Sequence, residues 1–156
     1  MNRTLFFIFF QIVSLSAFAS KGPAPLDFFK GLKGSWSIHS GKKELSIKMS
    51  YDTGSRDNIV TENFGKELSV ISKDGQDTIL THFCNQGHQS RLKLKNSSSK
   101  KKFVFEAFDL INLPSKKDAH VHKIIYQLKS KTVVELNIVW KTEDKEKTEK
   151  YQLSKI

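Results

Sequence analysis

A two-residue rhythm restricts this chain more than any other feature. From residue 34 onward, apolar and polar side chains alternate in short runs, and Gly, Asn, Asp and Pro separate the runs. Leu45, Ile47, Met49 and Tyr51 alternate with Ser46, Lys48 and Ser50, and Phe103, Phe105 and Ala107 alternate with Val104, Glu106 and Phe108. Successive side chains of a strand point to opposite faces, so such runs build sheets with one buried face. The turn signals recur about every 8–12 residues, a spacing that suits an antiparallel sandwich or barrel. Sequential short turns favour an up-and-down meander, and closing it removes the exposed edge strands. The expected fold is therefore all-β, an antiparallel up-and-down barrel of about ten strands. Residues 26–32 (LDFFKGL) place apolar side chains at 26, 28, 29 and 32, which is helical spacing. Gly31 and Gly34 hold this N-terminal helix to about two turns, enough to close one end of a barrel.

Before the rhythm begins, Arg3, an apolar segment from Leu5 and the Ala17-Phe18-Ala19 tripeptide have the order of a secretory signal. Gln11, Ser14 and Ser16 interrupt the apolar run, which falls short of the ~18 apolar residues of a spanning helix. This predicts removal of residues 1–19, a single domain over 20–156, a periplasmic or secreted location, and no membrane span after cleavage. A domain of that size buries about two-thirds of its unfolded surface. Cys84 is the sole cysteine, so an internal disulfide is excluded. The net charge of +10 favours contact with anionic surfaces. The basic residues form no single stripe, so specific nucleic-acid binding is not expected. Residues 96–102 (NSSSKKK) read as a polar, solvated loop.

Chemistry concentrates at 79–94, ILTHFCNQGHQSRLKL, a hairpin with its loop at 85–87. Alternation puts Leu80, His82 and Cys84 on one inner face with His88, Ser90 and Leu92, and turns Lys93 and Lys95 outward. Arg91 shares the lysines' parity; turned inward it would pair with an anionic head group. In the run from 120, His120, His122, Ile124, Tyr126 and Leu128 share one face, expected to be the inner one. His82, His120 and His122 then converge at one barrel end, beside loops 85–87 and 112–118. Neutral imidazole and thiolate are good ligands for zinc, and Asp118 or Glu62 would orient a ligating ring. Haem would need an axial histidine facing an apolar cavity. The same histidines also satisfy one another, Thr81 and the backbone as a polar plug. Cys84 beside His82 or His88 has the setting of a nucleophile, and equally that of a small buried hydrophobe.

Two features resemble a known group. A Gly-x-Trp at 34–36 after a short helix is similar to calycin barrels. The segment Leu80-Thr81-His82-Phe83-Cys84 with Gly87-His88-Gln89-Ser90-Arg91, followed by Asn112-Leu113 and Asp118-Ala119-His120-Val121-His122, resembles uncharacterised bacterial lipocalin-like proteins. Those carry L-T-H-Y-C-x-x-G-N-Q-P-R and a later N-L…D-x-H-M-H. This chain has His88 in place of their Asn and Ser90 in place of their Pro. The resemblance implies a lipocalin-like barrel and a shared site, and no particular activity.

The expected function is binding of a small, largely apolar molecule. Phe103, Phe105, Tyr126, Ile47 and Met49 would line its cavity. His82, Cys84, His88, His120, His122, Thr81 and Arg91 would form its polar end. The alternatives are a zinc or haem site on the same histidines, a hydrolase using Cys84 or a metal-bound water, and a surface-interaction protein acting through charge. The sequence contains no Gly-rich phosphate loop, no G-x-S-x-G and no H-E-x-x-H.

Overall fold

Alternation becomes strand throughout. The computed structural model describes residues 25–156, apart from 57, 100 and the side chains of 96–99. The expected leader, 1–19, lies outside the described residues. One helix, α1 (Pro25–Lys30), precedes ten strands: β1 (Gly34–Ser40), β2 (Lys43–Gly54), β3 (Ile59–Phe64), β4 (Glu67–Asp74), β5 (Asp77–Phe83), β6 (Gln89–Ser99), β7 (Lys102–Ile111), β8 (His120–Ser130), β9 (Val133–Lys141) and β10 (Glu146–Lys155). Each strand pairs antiparallel with its sequence neighbour, and β1 pairs with β10 to close the barrel. The sheet therefore has no free edge, as the up-and-down reading expects.

The two ends differ. At one end α1 packs its apolar side across the opening. Phe29 sits 4.9 Å from the Tyr126 ring and 5.8 Å from that of Phe105, and Phe28 stacks on Phe103 at 4.3 Å. The Trp36 indole Nε1 donates to the Leu32 carbonyl at 2.7 Å, tying the chain after α1 to the first strand. Behind α1 the lumen is occupied by Trp36, Ile38, Met49, Tyr51, Phe103, Phe105, Tyr126 and Leu136, all buried. Interiors packed this way have near-crystalline density. The side chains expected to line a cavity thus fill it instead. The outer wall is polar, with ion pairs Lys93–Asp77, Lys123–Glu106 and Lys129–Glu135 lying along it.

Three local expectations are corrected. Residues 96–102 are not a loop: β6 runs to Ser99 and β7 begins at Lys102, with register shifts at Asn96 and Ser99 absorbing the irregularity. Ile47 lines no cavity and is 44% exposed. The β2–β3 pairing starts at Met49↔Phe64, so residue 47 lies beyond the wall formed by β3. In β8 the inner face is Val121, Ile124 and Tyr126, because the register with β9 shifts between Val121 and Lys123. That bulge removes His122 from the face assigned by simple alternation.

Candidate binding site at the barrel mouth

The far end, framed by the β3–β4, β5–β6, β7–β8 and β9–β10 turns, carries the polar chemistry. Five inward side chains on adjacent strands are joined by register: Tyr51↔Glu62, Glu62↔Ser69, Ser69↔His82 and His82↔Ser90. All five are buried. The next inward tier toward α1 is apolar: Val60↔Ile71, Ile71↔Leu80 and Leu80↔Leu92. A polar tier therefore rests on a hydrophobic floor.

Buried polar groups need partners. The Tyr126 hydroxyl donates to Glu62 Oε2 at 2.7 Å, and the Tyr51 and Ser69 hydroxyls also reach this carboxylate. Burial outweighs these bonds and pushes the Glu62 carboxyl above its ordinary value. Ser69 Oγ lies 3.3 Å from His82 Nδ1. The opposite ring nitrogen, Nε2, is buried without a hydrogen-bond partner, 3.7 Å from Glu67 Oε2. Burial, then the proximity of His88, pushes the His82 imidazole down to about 4, so it is neutral at physiological pH. Burial, then Glu149, raises Glu67. Donor atoms of Glu67, His82 and Cys84 all lie within 4.8 Å of one another.

Across the mouth, the Trp140 ring stands edge-on to His82 at 6.3 Å. Its Nε1 donates to Glu149 Oε2 at 3.1 Å, and the Tyr151 hydroxyl donates to the same oxygen at 2.9 Å. Lys147 Nζ donates to Glu149 Oε1 at 2.7 Å. Burial works against the charge on Glu149, but these bonds outweigh it and hold the carboxyl below its ordinary value. Glu149 thus fixes the indole in place. Outside Trp140 lies a cavity of about 380 Å³ lined by Ala119, Trp140, Lys141, Thr142, Lys145, Lys147 and Glu149.

The wall also parts on one side. The β7–β8 pairing ends at Glu106↔Lys123, and beyond it a cleft separates Ala107, Phe108, Asp109 and Leu110 from His120, His122 and Lys141. His88, buried on the inner face, has its charge opposed by burial and then by His120. His120 in turn acts on His122, whose imidazole is lowered chiefly by burial and Lys141. The four imidazoles form a file: His82, His88, His120, His122, each electrostatically coupled to the next.

The expected site residues therefore divide. His82, Cys84 and His88 lie on the inner face near the mouth, as alternation predicts. His120 borders the cleft, with Nδ1 3.3 Å from the Asp118 carbonyl, and His122 lies 3.8 Å from Glu146. Among the described residues the group of three possible metal donors that includes His82 is Glu67, His82 and Cys84, and neither His120 nor His122 is in it. Thr81 pairs with Arg91 on the wall opposite in parity to His82. Arg91 turns outward, reaching Asp109 at 3.3 Å beside the Phe108 ring. Tyr126 belongs to the core and meets the tier only through its hydroxyl. Glu62, expected to orient a ligating ring, accepts from Tyr126, while the side chain against His82 Nδ1 is Ser69. The sequence marks Trp140 only as an interior side chain and does not mark Glu67, Ser69 or Glu149 as part of a site. No family model and no curated protein matches this chain.

Proposed function

We propose that this protein is a binding barrel that takes up a small, largely apolar molecule with an anionic end. The ligand sits at the mouth, outside Trp140, and not in the lumen. The observation that carries this reading is the cavity of about 380 Å³ with an indole in its wall and Lys141, Lys145 and Lys147 around it. Its volume falls in the range of small-molecule pockets, ~300–1,000 Å³. Trp140 offers an apolar face held rigid by Glu149, which lowers the ordering cost of binding. Glu149 already accepts from Trp140, Tyr151 and Lys147, so its charge is compensated, and Lys145 together with Lys141, which stands 3.9 Å from Glu146, meets the anion. Export with loss of residues 1–19 and a lipocalin-like ancestry are part of this proposal, resting on the sequence motifs.

The test is a fluorescence titration with anilinonaphthalene sulfonate, an apolar anion, followed by its own emission. One site per chain is expected, weakened at least tenfold by K141E/K145E and by added salt, with the melting temperature little changed. Equal affinity in the charge-reversed protein would refute the anionic pocket.

A further inference from the structure

We propose that Glu67, His82 and Cys84 form a zinc site behind the Trp140 ring, separate from the anion pocket. Ser69 stands between Glu62 and His82 in the inward tier, in register with each. In the tautomer that carries its proton on Nδ1, His82 donates to Ser69 Oγ at 3.3 Å. The imidazole's free lone pair is then on Nε2. This nitrogen is buried, has no hydrogen-bond partner, and faces Glu67 Oε2 at 3.7 Å. Two electron-rich atoms face each other there, with the Cys84 sulfur in the same group. A cation between them resolves the arrangement.

The donor set is one nitrogen, one sulfur and one oxygen, which suits zinc. For Zn–N near 2.1 Å and Zn–S near 2.3 Å in a tetrahedron, donors stand about 3.6 Å apart. A nitrogen–oxygen pair needs about 3.4 Å, so the His82–Glu67 pair at 3.7 Å closes by a few tenths of an ångström. The wider spread of the group, up to 4.8 Å, closes by rotation of the Cys84 side chain, now donating weakly to Asn85 Oδ1 at 3.6 Å. Metal binding replaces the thiol proton, which leaves to solvent. Ser69 on His82 Nδ1 is the kind of outer support that fixes the tautomer and ring orientation of a ligating histidine. Three protein ligands leave one coordination position, for water or a further donor.

The test uses the full chain, stripped with chelator and reloaded with Zn²⁺, or with Co²⁺ as a coloured substitute. One ion per chain is expected, with a cobalt–thiolate charge-transfer band. C84A should abolish the band, and E67Q should weaken zinc at least tenfold. S69A should weaken it roughly 10–100-fold, as loss of an outer support does. H120A/H122A should change neither readout. Circular dichroism and a thermal melt of each variant establish that it is folded. No retained zinc and no band in the folded chain would overturn the proposal. So would binding that survives C84A and E67Q but is lost in H120A/H122A, because the cleft histidines would then hold the ion. These outcomes are independent of sulfonate binding at the outer pocket.

Discussion

His82 carries the most consequence at the scale of the single residue. Its imidazole titrates near 4 in the folded chain and near 6.5 when unfolded. As pH falls below 6.5 the unfolded chain takes up a proton that the folded chain refuses. The stabilising contribution is therefore complete above about 6.5 and is lost between there and about 4, amounting to about 3 kcal/mol. Urea denaturation of metal-free protein across that interval should show the loss, and H82N should flatten it. Parallel acid limbs for the two proteins would contradict the assignment. Tyr126 makes a second case. Removing its hydroxyl in Y126F leaves Glu62 with one donor fewer, and stability should fall by about 1–3 kcal/mol in the same assay. Little of this was legible in the sequence. Glu67, Ser69 and Ile71 share a face, but so do Leu68 and Val70, and hydrophobicity alone favours the latter pair inward. The structure turns Ser69 and Ile71 in because Glu62 and His82, one strand away on each side, supply the polar partners Ser69 needs.

Elements follow the sequence more closely, and fail it where a strand gains a residue. The alternation of β9 as far as Ile138 and of the first half of β7 reads directly as inside and outside. A side-chain period of two makes every assignment past a bulge reverse. That is what happens at His122 in β8, and again near Phe108, where the β6 register shifts between Arg91 and Leu92. Nothing in the residue types marks either bulge. Both lie where β7 and β8 part, so backbone amides facing the cleft have no ladder partner across it. Hydrogen exchange should be faster around 108–110 and 120–122 than at Phe103 and Phe105; uniform protection along β7 would contradict the parting. The helix was legible from its spacing, and its role is to stopper one end. F29A should cost about 3–5 kcal/mol in chemical denaturation, the range for a large buried aromatic.

For the whole molecule, closure and stoppering are what direct the proposed binding to the mouth. Ten strands of this length could enclose a ligand chamber, but Phe28 and Phe29 from α1 and the aromatic side chains of β7 and β8 occupy the lumen. What remains is the mouth: a polar tier, a fixed indole and a rim of lysines. The positive balance of the chain fits an anionic guest there. The measurement that tests this most directly is an NMR titration of the isotope-labelled protein with anilinonaphthalene sulfonate. The account predicts saturable shifts at the Trp140 indole and at Thr142 and Lys145, with Phe103, Phe105 and Trp36 unmoved. Shifts centred on the core aromatics, with the mouth unaffected, would show that the barrel opens to take its ligand inside and would contradict the account.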